Sequence, residues 1–523
     1  MPATPDSPPR PGEPVRLAPL LVGLSLAADA GMGLEPGEAA RATVIAARLA
    51  REVGAAEPAE VFYTTLLQHV GCTAYAHEAA AQLGGDEIAV KAAAMRTDFA
   101  RVHDVLFVYL PNLAPQASAA TRLRAAGVAA ARAKRITRGY AEANCEVGML
   151  TARRLGLGPG VEGSLAAVFE QVDGRGAPRG IRGDDIPLAT RIAQVAVYAS
   201  LFDRAGGPEL ALATVRRRAG SSLDADVVTA LCDRSRDVLA ELSTQDAVEA
   251  AIAAEPGPAM TVAPGDIDGV CRAFGDAVDL KSPYLHGHSA GVAELAAAAA
   301  ERLRMSPDEI TLARRAGHLH DLGRAAVRNG VWEKPGPLTS AEWEQVRLHA
   351  YHSERILARS GPLQPLARPA GMHHERLDGT GYHRETAAGA IPTAARILAA
   401  ADAFTAMTQV RPHRPALSAE EAAAELSAEA DRGRLDAEAV AAVRACAGQA
   451  APGRRPSPGG LTDRQLEVLR LVARGLSNRE IASTLVVSPR TAEHHVQDIY
   501  ARIGVSTRAG AALYAMEHDL LRS

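Results

Sequence analysis

Cysteine is scarce and scattered: Cys72, Cys145, Cys232, Cys271 and Cys446 lie far apart in 523 residues, and none forms a Cys-x-x-Cys pair. That spacing argues against a disulfide framework and a cysteine zinc site, and it fits a reducing compartment. Long apolar runs are missing too. Alanine-rich stretches such as Ala296 to Ala300 are flanked by charge, and none reaches the ~18 residues a membrane span needs. The first fourteen residues, rich in proline and polar groups, hold no apolar core of a secretory signal. The expectation is a soluble, cytoplasmic protein with no membrane partner. Aromatics make up only 4% of residues, so the cores must be built from Ala, Leu and Val, which suits closely packed helices. The net charge is −4, too small for chain-wide affinity to polyanions; any nucleic-acid binding must be local.

What is present reads as helix. Apolar positions recur at three and four, as from Ala40 to Leu49, among Ala, Leu, Arg and Glu. No convincing run of alternating strands appears, so the fold class is all-α. The length allows roughly three domains. Gly-Pro stretches break the pattern near Gly158, at Ala254 to Pro258 and at Ala451 to Gly460, and the last two read as linkers. Residues 1–15 are expected to be disordered, because proline and charge cannot offset ordering entropy. The expected domains are 16–255, 265–447 and 461–523, with a linker at 448–460.

The chain resembles itself. Glu170 to Gly176 matches Glu375 to Gly381 at an offset of 205, which also carries Ile186-Pro187 onto Ile391-Pro392 and Arg191-Ile192 onto Arg396-Ile397. Leu67 to Gly71 resembles Leu319 to Gly323 at an offset of 252. The difference implies about 47 extra residues in the first copy, around Arg96 to Lys134. Two tandem copies of one helical domain are expected.

The substitutions between the copies are informative. Gln68-His69 stand where the second copy has His320-Asp321, Asn144 stands at His349, Val168-Phe169 at His373-His374, and Val197 at Asp402. The Asp-Gly-x-Gly turn remains in both. Ten of sixteen histidines fall between His286 and His413, against three in the first copy. The turn therefore serves the fold, and the histidines serve something only the second copy does. Imidazoles and carboxylates suit hard or borderline divalent metals. The candidates are His288, His320, Asp321, His349, His373, His374 and Asp402. His320 and Asp321 are about 100° apart on a helix, so both reach one centre only if that helix end points into it. His349 follows a Thr339-x-x-Glu342 capping box.

The segment His318-Leu-His-Asp-Leu-Gly-Arg324, the lone His349, the run His373-His-Glu-Arg-Leu-Asp-Gly-Thr-Gly-Tyr382 and the later Asp402 resemble the HD-GYP subgroup of HD-domain phosphohydrolases. The resemblance covers 265–445 well and 16–255 in degraded form. It implies a centre of divalent ions, iron or manganese, that hydrolyses cyclic di-GMP. Asp321 would bridge two ions, and Arg324 would clamp phosphate where the family has Lys. The loop residues Glu375, Asp378, Gly379, Gly381 and Tyr382 would shape the substrate pocket. Tyr284 stands where some members carry a third-ion carboxylate, so two ions are expected. His383 follows Gly-Tyr where the family has Pro, and it reads as an extra ligand, a substrate contact or, preferentially, a surface histidine. A second reading stays open: a non-catalytic regulator that senses a nucleotide or metal.

After the linker, four amphipathic helices with a polar third helix resemble the LuxR-type DNA-binding domain over Leu461 to Leu521. That likeness implies that Ser488, Arg490, Thr491, His495 and Gln497 face DNA, with Arg479 and Arg508 on phosphate. Residues 461–523 hold eight Arg against seven acidic residues, a modest field that suggests a homodimer reading two half-sites.

Overall fold

The computed structural model describes residues 13–115, 117–239, 246–447 and 458–521. The disorder expected over 1–15 thus lies outside the described residues except for 13–15, as does the linker except for 458–460. The chain divides into two compact units: residues 1–267 with 359–362, and residues 268–358 with 363–523. Both are helical. Among the described residues the one sheet is a two-residue antiparallel ladder, Val15–Arg16 against Thr261–Val262. Val15 is buried there, so the disorder expected over 1–15 does not extend to it.

In the first unit α1 (Leu17–Met32) is apolar almost all round and nearly wholly buried. It packs with α2 (Glu38–Glu52) and α3 (Pro58–Leu67). The extra residues of this copy run through short turns into the front of α4 (Ala119–Arg154), a 36-residue helix about 54 Å long. Then comes α5 (Leu188–Arg218), broken at Gly206-Gly207.

The second unit begins with α6 (Ile267–Asp279), α7 (His288–Arg302) and α8 (Pro307–Leu319). Next are α9 (Ser340–Ala358), α10 (Gln364–Gly371), α11 (Thr393–Met407) and α12 (Ala437–Ala447). Its core is alanine-rich, with Val292, Ala296, Ala313, Ala316, Ile397, Leu398, Ala400 and Val443 in one cluster. Small side chains let the helices approach closely: a Cβ on Gly317 would stand 2.4 Å from Ala293 Cα. The repeat recurs as packing. A Cβ on Gly71 would meet Asn144 O at 2.4 Å, and one on Gly323 would meet His349 O at 2.0 Å. Asn144 and His349 therefore hold equivalent places.

The same unit ends in four helices: α13 (Asp463–Ala473), α14 (Asn478–Leu485), α15 (Pro489–Ile503) and α16 (Arg508–Glu517). Reciprocal caps start the first two, Thr462 with Gln465 and Ser477 with Glu480. Ser488 caps α15 through Thr491 N, and left-handed Gly504 ends it.

Candidate metal centre and DNA-reading helix

Helix α8 stops at Leu319, so His320 is its C-cap and Asp321 opens the next turn. This is the helix end the spacing required. His288 sits in the first turn of α7, His349 on α9, His373 and His374 just past α10, and Asp402 on α11. All seven meet in one buried cluster. Asp321 lies at its middle: Oδ2 is 3.1 Å from His320 Nε2 and 3.5 Å from His288 Nε2. Its Oδ1 is 3.3 Å from His349 Nε2 and 3.7 Å from His373 Nε2. Asp402 Oδ1 is 3.1 Å from His288 Nε2, and its Oδ2 is 3.9 Å from His374 Nδ1. The donors form two groups with metal-ligand spacing, His288/His320/Asp321 and His349/His373/His374.

Four of the five rings are aimed from behind. Nδ1 of His320 meets Gly317 O at 2.8 Å, and Nδ1 of His349 and His373 meet Val346 O and Ala370 O. Nδ1 of His288 meets Gln409 Oε1 at 3.0 Å. A carbonyl oxygen only accepts, so Nδ1 carries the proton and the Nε2 lone pair points into the cluster. There, buried His288 Nε2, His320 Nε2, Asp321 Oδ1 and Asp402 Oδ1 make no well-aligned hydrogen bond. Orphaned buried acceptors converging on one volume fit cations and fit little else.

The charge states agree. Burial opposes ionisation of Asp321, but Arg324 and His320 outweigh it and hold the carboxyl well below its usual range. Asp402 is likewise lowered, its burial offset by His288 and His320. Burial, with neighbouring histidines, lowers His373 to about 3 and keeps His374 neutral. Burial also opposes charge on His320, yet the Asp321 and Asp402 carboxylates raise its pKa to about 10. In the metal-loaded protein His320 would give up that proton and offer Nε2 as a ligand.

Arg324 Nε lies 2.7 Å from Asp321 Oδ2, its guanidinium 4.9 Å from the Trp332 ring centroid. Two partners were not anticipated. Gln409 orients His288, and the half-buried Arg411 donates to Gln409 Oε1 at 3.1 Å and to Tyr284 O at 2.8 Å. Burial, with Arg324 nearby, lowers the Arg411 pKa to about 10. The one available signal was a basic Arg-Pro-His-Arg run just beyond the Asp402 helix.

The loop residues divide. Glu375 is buried and spends Oε1 on Arg384 N and Oε2 on Thr386 N, each at 2.8 Å. Glu170 takes Arg179 N at 2.7 Å in the first unit. Asp378 Oδ1 accepts from Thr380 N at 3.0 Å. A Cβ on Gly381 would stand 2.4 Å from Glu375 Cα, and Gly379 has a φ of +77°. These contacts make all four part of the loop's own framework. Tyr382 instead stacks on His374, centroids 4.7 Å apart. The surface reading of His383 is corrected: its side chain is 12% exposed, with Nε2 3.4 Å from Glu354 Oε2 and the ring against Tyr351.

On α15, Ala492, Val496 and Ile499 face inward while Arg490, Thr491, His494 and Gln497 are exposed; His495 is half-buried. Arg479 and Ser488 are exposed as well, though Ser488 spends its hydroxyl on the cap. Arg508, expected on phosphate, donates here to Leu476 O and, at 2.7 Å, to Asn478 Oδ1, bracing α14.

Residues 272–439 match the HD domain family, and residues 460–515 match the bacterial regulatory proteins of the luxR family. The 3′3′-cGAMP-specific phosphodiesterase 3 of Vibrio cholerae is 31% identical over 414 residues, 78% of this chain and 90% of that protein. The chain belongs to the HD-domain phosphodiesterases. The crystal structure of a V. cholerae cyclic GMP-AMP specific phosphodiesterase, V-cGAP3, superposes with a TM-score of 0.57 at 25% identity, covering 84% of this chain and 99% of that one. The cyclic di-GMP phosphodiesterase response regulator RpfG of Xanthomonas campestris is 38% identical over 146 residues, 27% of this chain and 39% of that protein. This phosphodiesterase is a metal-dependent hydrolase that carries a LuxR-type DNA-binding domain. No helix among the described residues is long and apolar enough to cross a membrane.

Proposed function

We propose that residues 265–447 hydrolyse a phosphodiester of a cyclic purine dinucleotide, that 16–255 form a copy without metal ligands, and that 461–523 deliver the output on DNA. The observation that carries this reading is the split of Asp321, one oxygen toward each histidine group. A mixed imidazole–carboxylate set suits two ions of iron or manganese, with His288, His320 and Asp402 on one side, His349, His373 and His374 on the other, and Asp321 between. Such ions supply an acidified water and neutralise phosphoryl oxygens. Arg324, pinned by Asp321 and Trp332, presents a planar donor to the scissile phosphate, and Tyr382 walls the site beside His374. On DNA, Arg490, Thr491, His495 and Gln497 of α15, with Ser488 at its start, read the groove, and Arg479 contacts phosphate, in a homodimer.

The test is a cleavage panel: the purified chain, loaded with Mn²⁺ or Fe²⁺, is given cyclic di-GMP, 3′3′-cGAMP and a model phosphodiester. Turnover of a cyclic dinucleotide that disappears in the paired His320→Ala, Asp321→Ala variant is expected. Metal binding without cleavage of any of the three would leave a nucleotide or metal sensor instead.

A further inference from the structure

The loop that delivers His288 to the metal cluster is also where the DNA-reading helices sit. Pro283 packs against Gly475, close enough that a Cβ there would stand 2.7 Å from its ring. His286 Nδ1 donates to Ala473 O at the end of α13. Gly287 N donates to the Met516 sulfur at 3.1 Å, and the next residue is His288. Behind the loop, Arg272 of α6 donates to Met516 O at 2.6 Å and pairs with Asp519 Oδ1 at 2.7 Å. On the site side, Tyr284 O receives Arg411, whose Gln409 partner orients His288. One short segment is thus held from two directions, by the ligand cluster and by the ends of α13 and α16. Arg490, His494 and Gln497 stay exposed, so this contact leaves the reading face free.

We infer that Pro283–Gly287, with Arg272, is a docking surface for the chain's own DNA-reading domain, and that this contact carries the occupancy of the metal centre to it. A cation ligated by His288 fixes the loop against Ala473 and Met516, and the docked domain in turn favours the ligating position of His288. Thermodynamic reciprocity requires both directions to have equal size. The inference rests on His288 being a ligand.

The full-length chain is followed by hydrogen exchange with and without Mn²⁺, alongside calorimetric Mn²⁺ titration. Mn²⁺ is expected to slow exchange at the ends of α13 and α16 about fivefold or more. Asp519→Arg should remove that slowing and weaken Mn²⁺ binding by a similar factor, and adding Arg272→Asp should restore both. Mn²⁺ that binds without changing exchange at α13 and α16 overturns the coupling and leaves the ligand assignment standing. A chain that binds no Mn²⁺ overturns the ligand assignment and the coupling with it. An Asp519→Arg variant that folds and keeps the full Mn²⁺ response also overturns the coupling.

Discussion

Asp321 Oδ1 lies 3.3 Å from His349 Nε2 while its other oxygen faces the opposite histidine group. One carboxylate therefore serves both halves of the cluster. Asp321→Asn keeps the shape but replaces one oxygen with an amide that cannot ligate. The variant is expected to hold one ion per chain where the parent holds two, read by elemental analysis, and to lose phosphodiester turnover by at least about a thousandfold, a barrier increase of about 4 kcal/mol. Two ions retained in Asp321→Asn would show that Asp321 does not bridge.

Metal should stabilise one copy and ignore the other. The first unit has Gln68, Asn144 and Val197 where the second has His320, His349 and Asp402. An ion that binds only the folded state adds about 2.7 kcal/mol at a hundred times its dissociation constant. Hydrogen exchange of the full chain with Mn²⁺ against chelator should show that gain in α7, α8 and α9, with α1, α2 and α3 unchanged. Equal protection of both sets would refute the division of labour.

Gln409 acts through His288. Its Oε1 takes the Nδ1 proton at 3.0 Å, fixing the tautomer that leaves Nε2 free. Gln409→Ala is expected to weaken Mn²⁺ binding about 10- to 100-fold with no change in the far-ultraviolet spectrum. Gln409→Glu keeps an acceptor at the same reach and should recover most of the loss. If both variants bind as tightly as the parent, Gln409 only fills space.

How much of this was legible beforehand follows from residue type. The seven candidate ligands could be picked out because a duplicated chain carries its own control: a turn with the same Asp-Gly-x-Gly in both copies cannot explain histidines present in one. The Asp-Gly-x-Gly turn was legible in the same way, whereas the backbone contacts of Glu375 were not, although Glu170 makes one of them in the first unit. Arg411 was hidden by abundance, one arginine among many, with the short Arg-Pro-His-Arg run as its one local mark. His383 was misread because its burial depends on Tyr351 and Glu354, about thirty residues away in a different helix. The bonds of Arg508 to Leu476 O and Asn478 are a tertiary choice that no periodicity encodes.

The first unit should be acid-sensitive on account of one buried histidine. His69 stands at the Asp321 position, is buried, and is lowered to about 4 by that burial and by the Lys91 ammonium. Unfolded, a histidine takes its proton near 6.5, so between that value and about 4 the unfolded chain binds more protons. Stability therefore falls as pH drops through this window, by up to about 3 kcal/mol. His69→Gln should flatten that decline, read as exchange protection of α3 between pH 7 and 4.5. A decline of equal steepness in the variant would place the acid sensitivity elsewhere.

On DNA the exposed face of α15 separates two kinds of contact. Gln497 and Arg490 project from the helix that would enter the groove, whereas Arg479 opens α14 beside it. Base contacts set specificity and phosphate contacts set affinity. Gln497→Ala should cost about 1–3 kcal/mol of discrimination at one base position in each half-site, with the salt slope unchanged. Arg479→Ala should weaken every sequence alike and reduce the slope of log affinity against log salt by about 0.9 for each phosphate left without its guanidinium. Arg508→Ala should instead lower the melting temperature of the C-terminal helices, because its partners are the Leu476 carbonyl and Asn478. Binding titrations on a selected operator at several salt concentrations separate the three, and a salt-slope change in Arg508→Ala without loss of stability would return that residue to the phosphate backbone.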